Sequence, residues 1–199
     1  MRALFIDHYD SFSFNVIDLL ERAGVDDIKH IYFDMLTSED PLDYDFVVLS
    51  PGPNRPEDAL SSIEFYKRAE PKVPVLGICL GHQIIGYCLG GAVEKVKDSQ
   101  HGSVKKIVVD SSSNLFRGVG PTLNVATYNS LCIYQNTLDG DSGFKVIATS
   151  EDGSVEALER NVMGKPYIAT TQFHPESFLT ELSMKIVQNF LERIKKVKP

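Results

Sequence analysis

A cysteine, a histidine and a glutamate, far apart in the chain, carry the most specific chemistry the sequence offers. Gly77-Ile78-Cys79-Leu80-Gly81 sets a cysteine between an apolar run, residues 73–78, and a helical pattern, residues 80–89. A sharp strand-to-helix turn strains the backbone at its apex, and small residues two positions to either side relieve the crowding. At that apex a sulfur meets unpaired N–H groups and the positive end of the helix dipole, which favour the thiolate. The Leu80 N–H, next in line, can donate to an oxyanion formed on the same side. Phe173-His174-Pro175-Glu176-Ser177 follows a strand pattern over residues 167–171. Extended chain sends residues i and i+2 to one side, so Glu176 reaches one ring nitrogen of His174 and leaves the other free for a thiol. Nucleophile, base and orienter are then all present. Residues 50–56, Ser-Pro-Gly-Pro-Asn-Arg-Pro, follow a third strand. Its prolines stiffen the loop, Gly52 permits close backbone approach to a ligand, and Asn54 is the candidate for a second oxyanion N–H.

Each motif alone has an ordinary alternative. The cysteine can be a buried packing residue, the His-x-Glu pair a chance spacing, and the proline loop a simple turn. Their joint presence is what points to nucleophilic catalysis. Cys88 and Cys132 read as small hydrophobes. His8, His30, His82 and His101 are outside any comparable motif and read as surface or core residues. Cys79 and His82 without a second ligand pair fall short of a zinc site, so no metal is expected.

The elements needed to position these groups are legible. Residues 2–7, 28–33, 46–50 and 73–78 read as strands, with helical patterns over 12–23, 57–69 and 80–89. Strands alternating with crossover helices predict a parallel sheet covered on both faces. Residues 104–109, 122–128, 144–149, 154–159 and 167–171 read as further strands separated by turns, predicting hairpins and a mixed sheet. Leu182, Ile186, Phe190 and Ile194 repeat at spacing four and predict a terminal amphipathic helix. The fold class expected is α/β: an open, mixed, mostly parallel central sheet flanked by helices, in one domain over residues 1–199.

Bulk properties narrow the function. The 199 residues are 43% apolar, enough for a real core. Net charge is −7 with scattered bases, which argues against nucleic acid and anionic membrane as partners. Three widely spaced cysteines imply no disulfide framework and a cytoplasmic setting. The opening MRALFIDHYDSF reads as a first strand rather than a signal peptide, and no apolar stretch approaches the ~18 residues of a membrane span.

Six segments in order resemble the triad-type (class I) glutamine amidotransferases: DHYDSFSFN (7–15), LSPGPNRP (49–56), GICLGHQ (77–83), HG (101–102), YNSL (128–131) and QFHPESFLT (172–180). Within that family the opening segment is most similar to the glutaminase subunits of anthranilate synthase and aminodeoxychorismate synthase. The resemblance implies a flavodoxin-like fold and glutamine hydrolysis by Cys79, His174 and Glu176. It assigns the oxyanion hole to Leu80 and Asn54. It assigns L-glutamine binding to Gly52, Pro53, Asn54, Gln83, Ser130 and Leu131. It implies ammonia transfer to a larger, chorismate-binding synthase subunit docked near Ser11, Phe12 and Asn15. No cofactor is implied for this chain; Mg2+ is expected in the synthase partner. Ser11 has a plain alternative as the cap of the first helix. The sequence departs from the family at Asn54, usually Gly, at Asn129, usually His, and at Ser103, usually Lys. Competing readings are a glutaminase serving another synthase such as the one making GMP, a non-catalytic regulatory subunit, and a stand-alone cysteine hydrolase or peptidase.

Overall fold

The computed structural model describes residues 1–96, 102–138 and 143–196. His101, part of the fourth matching segment, lies outside them. The strands among the described residues are β1 (Arg2–Asp7), β2 (Asp27–Tyr32), β3 (Phe46–Leu49), β4 (Val75–Ile78), β5 (Val93–Lys95), β6 (Ser103–Val109), β7 (Thr122–Thr127), β8 (Leu131–Ile133), β9 (Lys145–Ser150), β10 (Val155–Arg160) and β11 (Ile168–Thr171). All but β5 and β8 form one sheet in the order β2-β1-β3-β4-β11-β10-β9-β6-β7. From β2 to β11 the pairs are parallel; from β11 to β7 they are antiparallel. The predicted mixed, mostly parallel sheet is therefore what forms.

Alternation along the central strands feeds two cores. Ala3, Phe5, Phe46, Val48, Leu76 and Ile78 pack with Val16, Leu19 and Leu20 of helix α1 (Ser13–Arg22) and with Ile186, Phe190 and Ile194 of helix α4 (Ser183–Lys195). Leu4, Ile6, Val47, Leu49 and Val75 pack with Ile63 and Tyr66 of helix α2 (Leu60–Ala69) and with Ile84 and Ile85 of helix α3 (Leu80–Cys88). Burying such a side chain contributes roughly 2 kcal/mol each, which is why residues 3–6 of β1 and all of β3 and β4 carry no polar side chain. Among the described residues, no helix is long and apolar enough to cross a membrane.

Three details differ from the sequence expectation. The helix expected over 57–69 splits into a 3-10 turn, Pro56–Asp58, and α2. Pro56 starts the turn and the Asp58 carboxylate accepts from the Arg55 N–H at 3.1 Å, closing it before α2 begins. Ser11 does not cap α1; the Asp10 carboxylate accepts from the Phe12 N–H at 2.8 Å instead. The short strands β5 and β8 pair in a separate antiparallel sheet that sequence periodicity is too short to reveal.

Candidate active site

Cys79 stands between β4 and α3 with φ 52° and ψ −100°, the strained elbow that the flanking glycines predict. The glycines are required by contact. A Cβ on Gly77 would lie 2.8 Å from the Gly81 backbone, and one on Gly81 would lie 2.3 Å from the Leu49 carbonyl oxygen. The Cys79 N–H donates to Thr171 O at 2.8 Å, which fixes the elbow to β11. In the parallel β4–β11 register Ile78 sits opposite Thr171, so the chain leaving β11 passes directly beside Cys79.

That exit segment carries His174 and Glu176. His174 is buried, and its Nδ1 lies 2.6 Å from Glu176 Oε1, a carboxylate that is itself buried. The pair forms within a turn rather than in the extended chain predicted: Ser177 N–H and the Thr180 hydroxyl both donate to His174 O. With Nδ1 engaged, Nε2 is buried without a full hydrogen bond and is left to interact with the Cys79 thiol. Catalytic hydrogen bonds are often long before substrate arrives. Burial opposes charging of His174, but Cys79 and then Glu176 more than offset it and hold the ring well above its ordinary 6.5. The direction favours the charged ring, the form that can give up a proton.

The Asn54 backbone has φ 72°, the left-handed region that Asn tolerates better than most residues with a Cβ. Pro53, Asn54 and Leu80 line a cavity of about 190 Å³ with His8, Tyr9 and Phe33. Gly52 allows the loop to lie on His8, whose Cβ would be 2.4 Å from any Cβ placed there. Arg55 anchors the loop by donating to Val93 O at 2.7 Å. The Val96 N–H donates to Ser130 O at 3.0 Å and the Asn129 amide to Leu131 O at 2.9 Å. Gln83 is buried, and its amide nitrogen donates both to Leu131 O, at 3.0 Å, and to Gln172 Oε1, at 3.1 Å. Its donors are therefore committed within the protein.

Ser11 and Asn15 are exposed, while Phe12 is half-buried. The Phe12 ring packs on Tyr128 at 4.9 Å and on His174 at 5.8 Å, and Tyr128 meets His174 edge-on at 4.9 Å. The candidate docking segment thus abuts the His174 ring. Sequence reasoning did not single out Tyr128 or Gln172, although both lie in matching segments; an amide two residues before His174 was the available signal for the latter. His30 also departs from expectation. Its Nε2 lies 2.7 Å from Asp7 Oδ2, a carboxylate supplied across the β1–β2 pair and invisible to local spacing.

Two other histidines behave as core residues. His8 bonds the Ser50 and Ser62 hydroxyls at 3.0 and 2.9 Å, and His82 bonds the Thr170 hydroxyl at 2.7 Å. Burial lowers His8 to about 4, against smaller opposing effects of Ser50 and Asp7. Burial lowers His82 to about 3, with the Val155 backbone opposing. Both rings titrate near 6.5 when unfolded, so below pH 6.5 the unfolded chain binds more protons. Stability should then fall as pH falls toward about 4, by up to about 1.4 kcal/mol per pH unit for each ring. His174 acts in the opposite sense, but only above 6.5, where rising pH removes its contribution. Urea midpoints at pH 6.5, 5.5 and 4.5 measure the slope. His8→Asn should flatten it, and an unchanged slope would exonerate that ring.

Among the described residues no group of His, Cys, Asp and Glu is arranged to hold a metal ion. The family described as glutamine amidotransferase class-I matches residues 4–194. The chain is 36% identical over 203 residues to the bifunctional protein TrpGD of Thermotoga maritima, covering 98% of this chain but 33% of that longer protein. It is 34% identical over 195 residues to the aminodeoxychorismate/anthranilate synthase component 2 of Bacillus subtilis, covering 97% of each. The solved structure of a putative GMP synthase component from Thermoplasma acidophilum superposes with a TM-score of 0.80 at 26% identity, over 98% of this chain and 95% of that one. With the match spanning nearly its full length, the chain belongs to the class-I glutamine amidotransferase family.

Proposed function

We propose that this chain, acting as one amidotransferase domain over residues 1–199, is the glutaminase subunit of a chorismate-using synthase, anthranilate synthase or aminodeoxychorismate synthase. The observation that carries the reading is the elbow cysteine beside a buried histidine whose other nitrogen is held by Glu176 at 2.6 Å. The names of relatives sharing about a third of its residues supply the synthase class.

The chemistry follows from the geometry. The Cys79 sulfur attacks the side-chain amide carbon of L-glutamine. Negative charge gathers on the former carbonyl oxygen, and the Leu80 and Asn54 N–H groups receive it. His174 gives its proton to the departing nitrogen, which leaves as ammonia, and a glutamyl thioester remains. The now neutral ring takes a proton from water, whose oxygen attacks the thioester and releases glutamate. Glu176 keeps the ring in one tautomer throughout. Gly52, Pro53, Gln83, Ser130 and Leu131 grip the substrate; for the Gln83 amide to donate to glutamine, it must first release Leu131 O or Gln172. Amide hydrolysis of this kind needs no cofactor in this subunit, and Mg2+ belongs to the synthase.

Ammonia passes to the larger subunit, which docks over Ser11, Phe12 and Asn15, next to the ring of His174. Both proteins work in the cytoplasm. Reconstitution with candidate synthase subunits tests the assignment. Glutamine and chorismate should yield anthranilate or aminodeoxychorismate. Amination only of a nucleotide acceptor by a GMP-forming partner would replace this reading with that of a different synthase.

A further inference from the structure

Polar direction around Cys79 can be read from a group that cannot change its role. Leu131 O is a backbone carbonyl and only accepts. The Gln83 side-chain atom 3.0 Å from it must therefore be the amide nitrogen. That same nitrogen lies 3.1 Å from the Gln172 side chain, so the Gln172 atom facing it must be the acceptor, Oε1. The Gln172 nitrogen is then turned the other way, toward Cys79 Sγ, at 3.7 Å. The network thus fixes the orientation of both amides.

Several features hold Gln172 there. It is fully buried, and its backbone N–H donates to Glu156 O at 2.8 Å. The β4–β11 register brings it level with Cys79, since Thr171 pairs with Ile78. Its backbone is thus fixed by the sheet and its side chain by α3 through Gln83. The Asn129 amide steadies the far end by donating to Leu131 O at 2.9 Å. A buried amide donor aimed at a sulfur stabilises the sulfur's negative form and restricts its rotation. His174, backed by Glu176, is the ionisable partner of the same sulfur.

We infer that Gln172 is a further working residue of the catalytic centre, donating its side-chain N–H to the Cys79 sulfur and linking it through Gln83 to the loop at Leu131. The inference rests on the glutaminase reading for its purpose, but the contact itself is tested without glutamine. Movement at Leu131 frees or redirects the Gln83 amide, which loosens Gln172 and with it the nucleophile. Substrate-loop position and thiolate readiness are therefore joined by three hydrogen bonds. The donor works on the attacking atom, so its loss should lower kcat far more than it raises KM.

Gln172→Met keeps the length and removes the donor. Iodoacetamide labelling of the Cys79 peptide, followed by mass spectrometry between pH 5 and 9, is the readout. The variant should label about tenfold more slowly near neutral pH, with its profile displaced upward by about one pH unit. Gln83→Met, which leaves Gln172 in place but unfastened, should displace it by less and in the same direction. Wild-type protein supplies an arm that requires no variant to fold: the Gln172 side-chain ¹⁵N resonance should move when Cys79 is alkylated. Profiles that superimpose on wild type, or a Gln172 resonance indifferent to Cys79, would overturn the inference. Failure of glutamine-dependent amination in the reconstituted complex, with the labelling shift intact, would instead remove the glutaminase reading and leave the Gln172–Cys79 contact standing.

Discussion

Cys79→Ala should abolish glutamine-supported amination by the reconstituted complex, by about 10⁴-fold or more, while ammonium-supported amination continues at the wild-type rate. The size follows from what is removed. Without the sulfur no thioester forms, and the remaining oxyanion donors and imidazole have no nucleophile to serve. The selectivity follows from where it is removed. Cys79 is 7% exposed within the elbow, so its loss should leave the exposed Ser11 and Asn15, the proposed docking face, unchanged. A side chain that shrinks by one sulfur at a helix start should cost little stability. Assays with saturating ammonium chloride and with glutamine, on the same preparation, separate the two activities. Equal glutamine-supported rates in variant and wild type would refute covalent catalysis here. Loss of both rates together would show that the substitution had damaged docking.

Gly81→Ala should be among the most damaging single added methyl groups at the described glycines. Alanine normally stabilises a helix interior relative to glycine by about 1 kcal/mol. Here the new Cβ would stand 2.3 Å from Leu49 O and 2.7 Å from Leu49 Cβ, atoms of a fully buried central strand. Neither can yield without shifting β3 or lifting α3. We expect a net loss of about 3 kcal/mol in stability, opposite in sign to the helix preference. Activity should fall further than stability, because α3 carries Leu80 and Gln83 and its first turn sets the Cys79 backbone. A displacement near 1 Å at the nucleophile typically costs about a hundredfold in rate. Thermal unfolding and glutamine-dependent rate, measured on one sample, give both numbers. A Gly81→Ala protein as stable and active as wild type would mean that the helix and β3 are not packed as described.

The same pentapeptide shows why so much was legible beforehand. Gly77 and Gly81 announce a close approach because no other residue type permits it, and both contacts are found. Asn54 announces a left-handed backbone for a related reason, and has one. Glu176 meets His174 as the spacing predicts, but from a turn instead of extended chain, because a long carboxylate side chain reaches the ring from either. What escaped reading depends on partners distant in sequence. His30 gains Asp7 only when β1 and β2 align, and β5 is defined only by β8. Three or four residues carry too little periodicity to declare a strand without its partner. The direction of the Gln172 amide is similar: nothing local to QFHPES states it, and it emerges only from the carbonyl of Leu131.

The central position of β11 has a consequence for biosynthesis. It follows β1 to β10 in the chain yet lies between β4 and β10, in the middle of the sheet. A nascent chain emerging at a ribosome can assemble its first four strands and expose Cys79 well before residues 168–176 leave the exit tunnel. During that interval the thiol lacks both imidazole and amide neighbours, and the flank of β4 stands unpaired. On the proposed reading, competence to cut glutamine therefore waits for β11 to slot between β4 and β10, so products stalled before residue 168 should release no free ammonia.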